Sequence, residues 1–248
     1  MFPIRDHNPS EKIPFVTYGL IALNVAIHIY VVLLVTTDAA LYDLYYCCAM
    51  IPARISAGDS FLSLVTSVFL HGGWLHLLGN MLFLWIFGDN MEEEFGHFGF
   101  LAFYLICGAG AALAQWAAAP WSPIPTVGAS GAIAAVMGGY LLLFPKAKID
   151  ILVIFIVFFR IFPIPAWIML GLWFAIQFLA GFGTDATEGG VAYWAHSGGF
   201  IIGFLLTLPI FIARGGSRYW DRTEGHPPHP EATYEFARSN VPTIRRRK

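Results

Sequence analysis

The feature that most limits what this chain can fold into is a series of long apolar segments without charge. Residues 15–35, 98–118 and 191–213 each supply about the twenty residues a helix needs to cross a hydrocarbon core. Residues 74–87, 130–144 and 165–179 are shorter apolar runs of the same character. Together they predict an all-α, polytopic membrane protein built as a bundle of six transmembrane helices. Composition agrees, since 57% of the residues are hydrophobic and only 12% are charged, well below the charged fraction of soluble domains. One further apolar stretch, residues 149–159, is too short to span as a helix. It fits an extension of the fourth helix, a re-entrant piece or an interfacial piece, and the sequence leaves these open.

The charges are segregated. Thirteen of the fourteen Lys and Arg residues fall at the two termini, in the second and fourth loops or just after the last span, and Arg54 stands alone on the other side. By the positive-inside rule both termini face the cytoplasm, as expected for the inner membrane of a bacterium. Residues 1–14 form a polar arm without the apolar core of a signal peptide. Residues 15–213 form the membrane domain, and the Pro- and Arg-rich residues 214–248 are expected to be a disordered cytoplasmic tail. Cys47, Cys48 and Cys107 have neither disulfide nor zinc-site spacing, and no metal or other cofactor is expected.

Polar side chains within apolar spans are expensive and mark function by default. Asn24 and His28, four residues apart on the first span, are assigned to interhelical hydrogen bonding. Four others converge on one level. Ser130 and His76 each lie about 24 Å from the cytoplasmic end of their helix, and His196 about 27 Å, at 1.5 Å per residue. Asn80 is one turn below His76 and on the same face. Ser130 sits in Gly128-Ala129-Ser130-Gly131, where a Pro-rich loop becomes a helix. The first N–H groups of a helix lack internal partners and form its positive end, a place suited to a serine nucleophile and its oxyanion. Gly128 and Gly131 carry no side chains, so a substrate backbone or a second helix could come close. His196 is the base at that level assigned to activate Ser130, so Ser130 and His196 would form a dyad, with His76, Asn80 and Ser130 around the oxyanion. No His-Glu-x-x-His motif and no pair of intramembrane aspartates is present.

These residues resemble the rhomboid family of intramembrane serine proteases. Gly128-Ala129-Ser130-Gly131 is similar to the family's Gly-x-Ser-Gly, His76-x-x-x-Asn80 to its oxyanion pair, Ala195-His196-x-x-Gly199-x-x-x-Gly203 to its base-bearing helix, and Glu92-x-x-x-Gly96 to the acidic end of its second helix. The resemblance implies a six-helix bundle with a cavity open to the outside, cleaving transmembrane protein substrates within the lipid bilayer near its outer face, with residues 165–179 gating entry. Nucleic acid is not an expected partner. Two departures stand out. Phe61-Leu62-Ser63-Leu64 replaces a Trp-Arg loop anchor, and Ala134 replaces an aromatic that stacks on the histidine, so another residue must hold His196. The competing readings are a non-catalytic rhomboid-like protein that binds or escorts membrane clients, and a transporter or channel. The first is disfavoured by the retained serine and histidine, the second by the lack of an intramembrane carboxylate or inverted repeat.

Overall fold

A computed structural model describes residues 2–155, 158–187 and 189–234. Strand β1 (Phe2–Asp6) precedes helix α1 (Phe15–Leu34). A long connection follows, containing α2 (Asp38–Cys48), α3 (Pro52–Ser56), α4 (Ser63–Thr66) and a 3-10 turn at Ser67–Phe69. Helices α5 (Trp74–Phe95) and α6 (His97–Ala118) come next, separated by Gly96 alone. Its φ of +70° lies in the left-handed region that favours glycine and turns the chain sharply. After a Pro-rich loop come α7 (Ser130–Leu143), β2 (Lys148–Phe155), β3 (Phe158–Pro165), α8 (Ala166–Gly183), α9 (Tyr193–Ala213) and α10 (Ser217–Thr223).

The protein is a mostly helical, multi-pass membrane bundle, but six full spans is not the count the described residues give. Four helices, α1, α6, α8 and α9, are each long and apolar enough to cross a membrane. Helix α5 joins the Ser63–Phe69 segment at a 95° bend and makes a fifth candidate. Helix α7 has 14 residues, about 21 Å at 1.5 Å per residue, short of the roughly 30 Å hydrocarbon core. It can be short because it barely meets lipid. All its residues except Ser130 and Leu141 are buried, with α5, α6, α8 and α9 packed around it.

Close approach of α9 to α7 depends on glycine. A Cβ at Gly203 would lie 2.1 Å from the carbonyl oxygen of Ala135, one at Gly199 2.1 Å from that of Gly131, and one at Gly138 2.1 Å from that of Phe200. Backbones this near gain packing and weak Cα–H contacts where lipid offers no hydrophobic drive for association. Helix α8 is the opposite case. Of its 18 residues only Ala166, Leu170 and Gly181 are buried, and Trp167, Leu172, Ile176, Leu179 and Phe182 are exposed, as expected of side chains in contact with lipid.

The acidic stretch after residue 87 continues α5 to Phe95. The buried Glu92 carboxylate reaches the start of α1, where it accepts hydrogen bonds from the Val16 N–H (2.9 Å), the Thr17 N–H (2.7 Å) and the Thr17 hydroxyl (2.8 Å). Pro14 at the α1 N-cap offers no side-chain cap, so Glu92 satisfies the orphan N–H groups and the positive helix end from another element.

The end of the bundle opposite Ser130 carries a sheet that the all-α reading lacked. The apolar stretch that begins at residue 149 is neither a helix extension nor a re-entrant helix where it is described. Its described residues, 149–155 and 158–159, lie in β2 and β3, which pair antiparallel, and β1 adds to β2 to give the order β1-β2-β3. The run is rich in Ile, Val and Phe, which suit a pleated surface. Pro3, Pro163 and Pro165 all fall on the two edge strands, where a missing N–H breaks no inner ladder. The N-terminal arm is therefore part of the fold. So is much of the expected tail: the Trp220 indole donates to the Leu142 carbonyl (3.0 Å), the Ala232 N–H to the His7 carbonyl (3.0 Å), and Arg5 stacks on Tyr234 at 3.8 Å. The basic cluster at residues 245–248 lies outside the described residues.

Two carboxyls at this end are tuned in opposite directions. Asp6 is pushed well above its usual pKa by burial, despite accepting a 2.7 Å hydrogen bond from the Tyr140 hydroxyl. Burial alone would raise Asp150 too. Its hydrogen bonds with His7 (2.9 Å) and Arg5 (2.7 Å) outweigh that and hold it below its usual value.

Candidate active site

Ser130 is the first residue of α7, and the first intrahelical bond there runs from the Ile133 N–H to the Ala129 carbonyl. The loop before it is fixed from two sides. The Gly128 N–H donates to the Ser67 carbonyl (2.9 Å), and Met50 and Thr126 exchange backbone hydrogen bonds of 3.1 and 2.8 Å. The long connection thus holds the serine loop without a Trp-Arg anchor. Further ties come from the Thr66 hydroxyl to the Cys48 carbonyl (2.8 Å) and from the Trp116 indole to the Ser56 hydroxyl (2.9 Å).

His196, in the first turn of α9, places Nε2 2.8 Å from Ser130 Oγ. The glycine contacts between α7 and α9 set that distance, because they fix two backbones rather than two flexible side chains. His76 rests on the serine loop from α5: a Cβ at Gly128 would lie 2.7 Å from its Cε1 and 2.8 Å from its Nε2. Gly128 has a φ of +129° as well, so conformation and space both exclude a side chain there. Asn80 is buried, and its Nδ2 has no hydrogen-bond partner among the described residues, leaving a donor available.

Ser130, His196, His76 and Asn80 all line one cavity of about 710 Å³. Gln115, Val127, Gly181 and Trp194 contribute further to its wall. Of the two uses open to Gly128 and Gly131, the close approach of other parts of the protein is the one seen here. Gly128 accommodates His76, and a Cβ at Gly131 would meet the Ala111 methyl at 2.5 Å. Asn24 also departs from expectation, donating to the Leu20 carbonyl of its own helix (2.8 Å) rather than across helices. His28 sets its ring edge-on to Trp74, at 4.7 Å between centroids.

Helix α8 supplies what sequence reasoning missed. Gln177 Oε1 lies 2.7 Å from His196 Nδ1, and the Trp173 ring lies 5.8 Å from the imidazole, tilted by 31°. These two side chains, one turn apart, occupy the role that Ala134 cannot fill. The signal was present, since Gln177 is the sole amide or ionisable side chain between Ala166 and Gly183. His71, buried beside His76 at 5.2 Å between ring centroids, was likewise not singled out.

A family model described as the Rhomboid domain matches residues 58–213. The chain belongs to the rhomboid family. It is similar to the Rhomboid-like protein 11, chloroplastic, of Arabidopsis thaliana, 48% identical over 28% of this chain and 24% of that protein. Rhomboid protein 1, mitochondrial, of Saccharomyces cerevisiae is 33% identical over 59% of this chain and 41% of its own length. Rhomboid protease AarA of Providencia stuartii is 28% identical over 79% of this chain and 72% of its own. The first two matches thus span less than half of those relatives. Rhomboid relatives named for chloroplast and mitochondrion stand beside the bacterial one, so family membership does not support assignment to a bacterial inner membrane.

Proposed function

We propose that this rhomboid is an intramembrane serine endopeptidase that cleaves transmembrane proteins near one membrane face. The observation that carries the reading is the 2.8 Å contact between Ser130 Oγ and His196 Nε2 at the wall of a cavity lined also by His76 and Asn80. His196 Nε2 takes the hydroxyl proton as Ser130 Oγ attacks the scissile carbonyl. The carbonyl oxygen becomes an oxyanion, received by His76, Asn80 and the free N–H groups at the start of α7. Collapse breaks the C–N bond, and His196 returns the proton to the leaving amine. A water then gives one proton to His196 and its hydroxide to the acyl carbon, and a second collapse breaks the ester C–Oγ bond, frees the new carboxyl and returns that proton from His196 to Ser130 Oγ. In this reading the basic end, with the sheet and both chain ends, faces the cytoplasm, and cutting occurs toward the opposite face.

The test is labelling with a serine-reactive fluorophosphonate, together with cleavage of a single-pass model substrate in proteoliposomes. Wild type should label and cleave, while Ser130→Ala and His196→Ala should do neither. Equal labelling of wild type and Ser130→Ala removes Ser130 as nucleophile, and a folded wild type that binds single-pass proteins without cutting them makes the protein an escort.

A further inference from the structure

We propose that Gln177 is the positioning residue of the base, so that Ser130, His196 and Gln177 form a three-membered relay with a neutral amide at its end; this rests on the reading of Ser130 and His196 above. The 2.7 Å contact joins His196 Nδ1 to the amide oxygen of Gln177. A carbonyl oxygen only accepts, so Nδ1 must carry the proton. The imidazole then has its lone pair on Nε2, the atom 2.8 Å from the Ser130 hydroxyl. That is the one neutral tautomer able to take the serine proton. Were the amide turned so that its NH2 faced Nδ1, the proton would sit on Nε2 and the base would be blocked.

An amide suits this place physically. The base lies among apolar helices, and an unpaired carboxylate there would bear a large desolvation cost that a neutral acceptor avoids. Trp173, one turn before Gln177, lays its ring along the imidazole and limits its swing. The two therefore act from one face of α8, fixing both the tautomer and the tilt of His196. Nucleophile, base and orienting group come from three different helices, α7, α9 and α8. The third is held to α9 by an aromatic seam, with Phe174 stacked on Phe200 at 4.8 Å and Phe182 edge-on to Trp194 at 4.9 Å.

The experiment compares wild type, Gln177→Leu and Gln177→Glu as full chains in proteoliposomes, with Ser130→Ala as the control. Gln177→Leu keeps bulk and removes the acceptor, and should lower kcat by about 10²–10⁴-fold with KM changed by less than about threefold, the larger figure being that seen when a triad histidine takes the wrong tautomer. Gln177→Glu restores an acceptor for Nδ1–H and should recover activity to within about tenfold of wild type. Nitrogen-15 NMR of histidine-labelled protein, assigned against His196→Ala, should show the Nδ1–H tautomer in wild type and lose it in Gln177→Leu. Where Gln177→Leu does not fold, Gln177→Ala is measured as turnover per folded molecule and by the same NMR signature. Turnover of Gln177→Leu within about twofold of wild type overturns the proposal, as does equal damage from Leu and Glu or an unchanged tautomer. Ser130-dependent cleavage that ignores Gln177 removes this inference alone, whereas Ser130-independent cleavage removes the reading of the site and this inference with it.

Discussion

Helices α7 and α8 lie side by side yet are built on opposite principles. Helix α7 is short, rich in Gly and Ala, and enclosed by protein on nearly every side. Helix α8 is longer, rich in large aromatic and aliphatic side chains, and buries only three residues. In the proposed mechanism the nucleophile sits on the first and the group that orients the base on the second. The serine needs a backbone held to a fraction of an ångström, which backbone-to-backbone packing provides. The base needs an acceptor near Nδ1, which a side chain at the lipid boundary can provide. The division teaches that the site's precision comes from small residues, and that large residues here serve to meet lipid and to prop one ring.

That contrast can be broken experimentally, beginning where the effect should be greatest. Gly203→Val sets a side chain against the Ala135 backbone, whose carbonyl oxygen a Cβ would approach to 2.1 Å. Overpacking of well-packed cores typically costs 1–3 kcal/mol, occasionally more, and here the obstacle is backbone that cannot rotate away. Little folded protein should be recovered in a detergent screen by size-exclusion chromatography. Normal yield and melting would show that the α7–α9 seam is not tight.

Next come the donors on α5. Losing one oxyanion donor elsewhere costs roughly 2.7–4 kcal/mol of transition-state stabilisation. His76→Ala and Asn80→Ala should each lower kcat by about 10²–10³-fold with KM nearly unchanged. If single-turnover rates per folded molecule stay at the wild-type value while Tm falls, the pair is a structural tie and leaves the site.

The hairpin that links α7 to α8 gives a smaller effect with a defined pH window. Asp150 has a folded pKa below its unfolded value. Its ion pairs therefore contribute stability that is full above the unfolded pKa of about 3.9 and is lost as pH falls through the folded one. Arg5 is about a third exposed, so solvent screening reduces its share. Asp150→Asn should lower Tm by a few degrees at pH 7, with the difference closing in acid. Asp6 has the opposite sign. Its raised pKa means its carboxyl favours folding when protonated and disfavours it as pH rises. Asp6→Asn keeps an acceptor for Tyr140 and should leave Tm at pH 7 unchanged or higher. A clear drop in Tm for Asp6→Asn would reverse this assignment.

The smallest effect belongs to α8 itself. A Cβ at Gly171 would meet nothing within 4 Å, and Ala is the better helix former by about 1 kcal/mol. Gly171→Ala should leave Tm unchanged or slightly raised and turnover intact. A loss as large as that of Gly203→Val would erase the difference between the two helices.

The sequence by itself determined the class of the molecule and picked out four residues that line one cavity. Apolar run length demands membrane helices, and polar residues within them are too costly to be idle, so Ser130, His196, His76 and Asn80 could be picked out from composition and spacing alone. Helix period placed His76 and Asn80 on one face because that spacing is local. What only the tertiary structure decided is everything that depends on neighbours distant in sequence. Glu92 reads only as the acidic end of a helix until α1 arrives beside it needing a cap. Residues 149–155 leave helix extension, re-entrant piece and interfacial piece open until β1, more than 140 positions earlier, supplies hydrogen bonds to β2. Gly131 leaves room for a substrate or a second helix until Ala111 fills the space beside it. Gln177 looks like one polar residue on a lipid-facing helix until α9 brings His196 to 2.7 Å. Local sequence carries run length, period and polarity; it does not carry which backbone group or side chain a folded chain will set opposite another, and that pairing is what separates a polar residue from a working one.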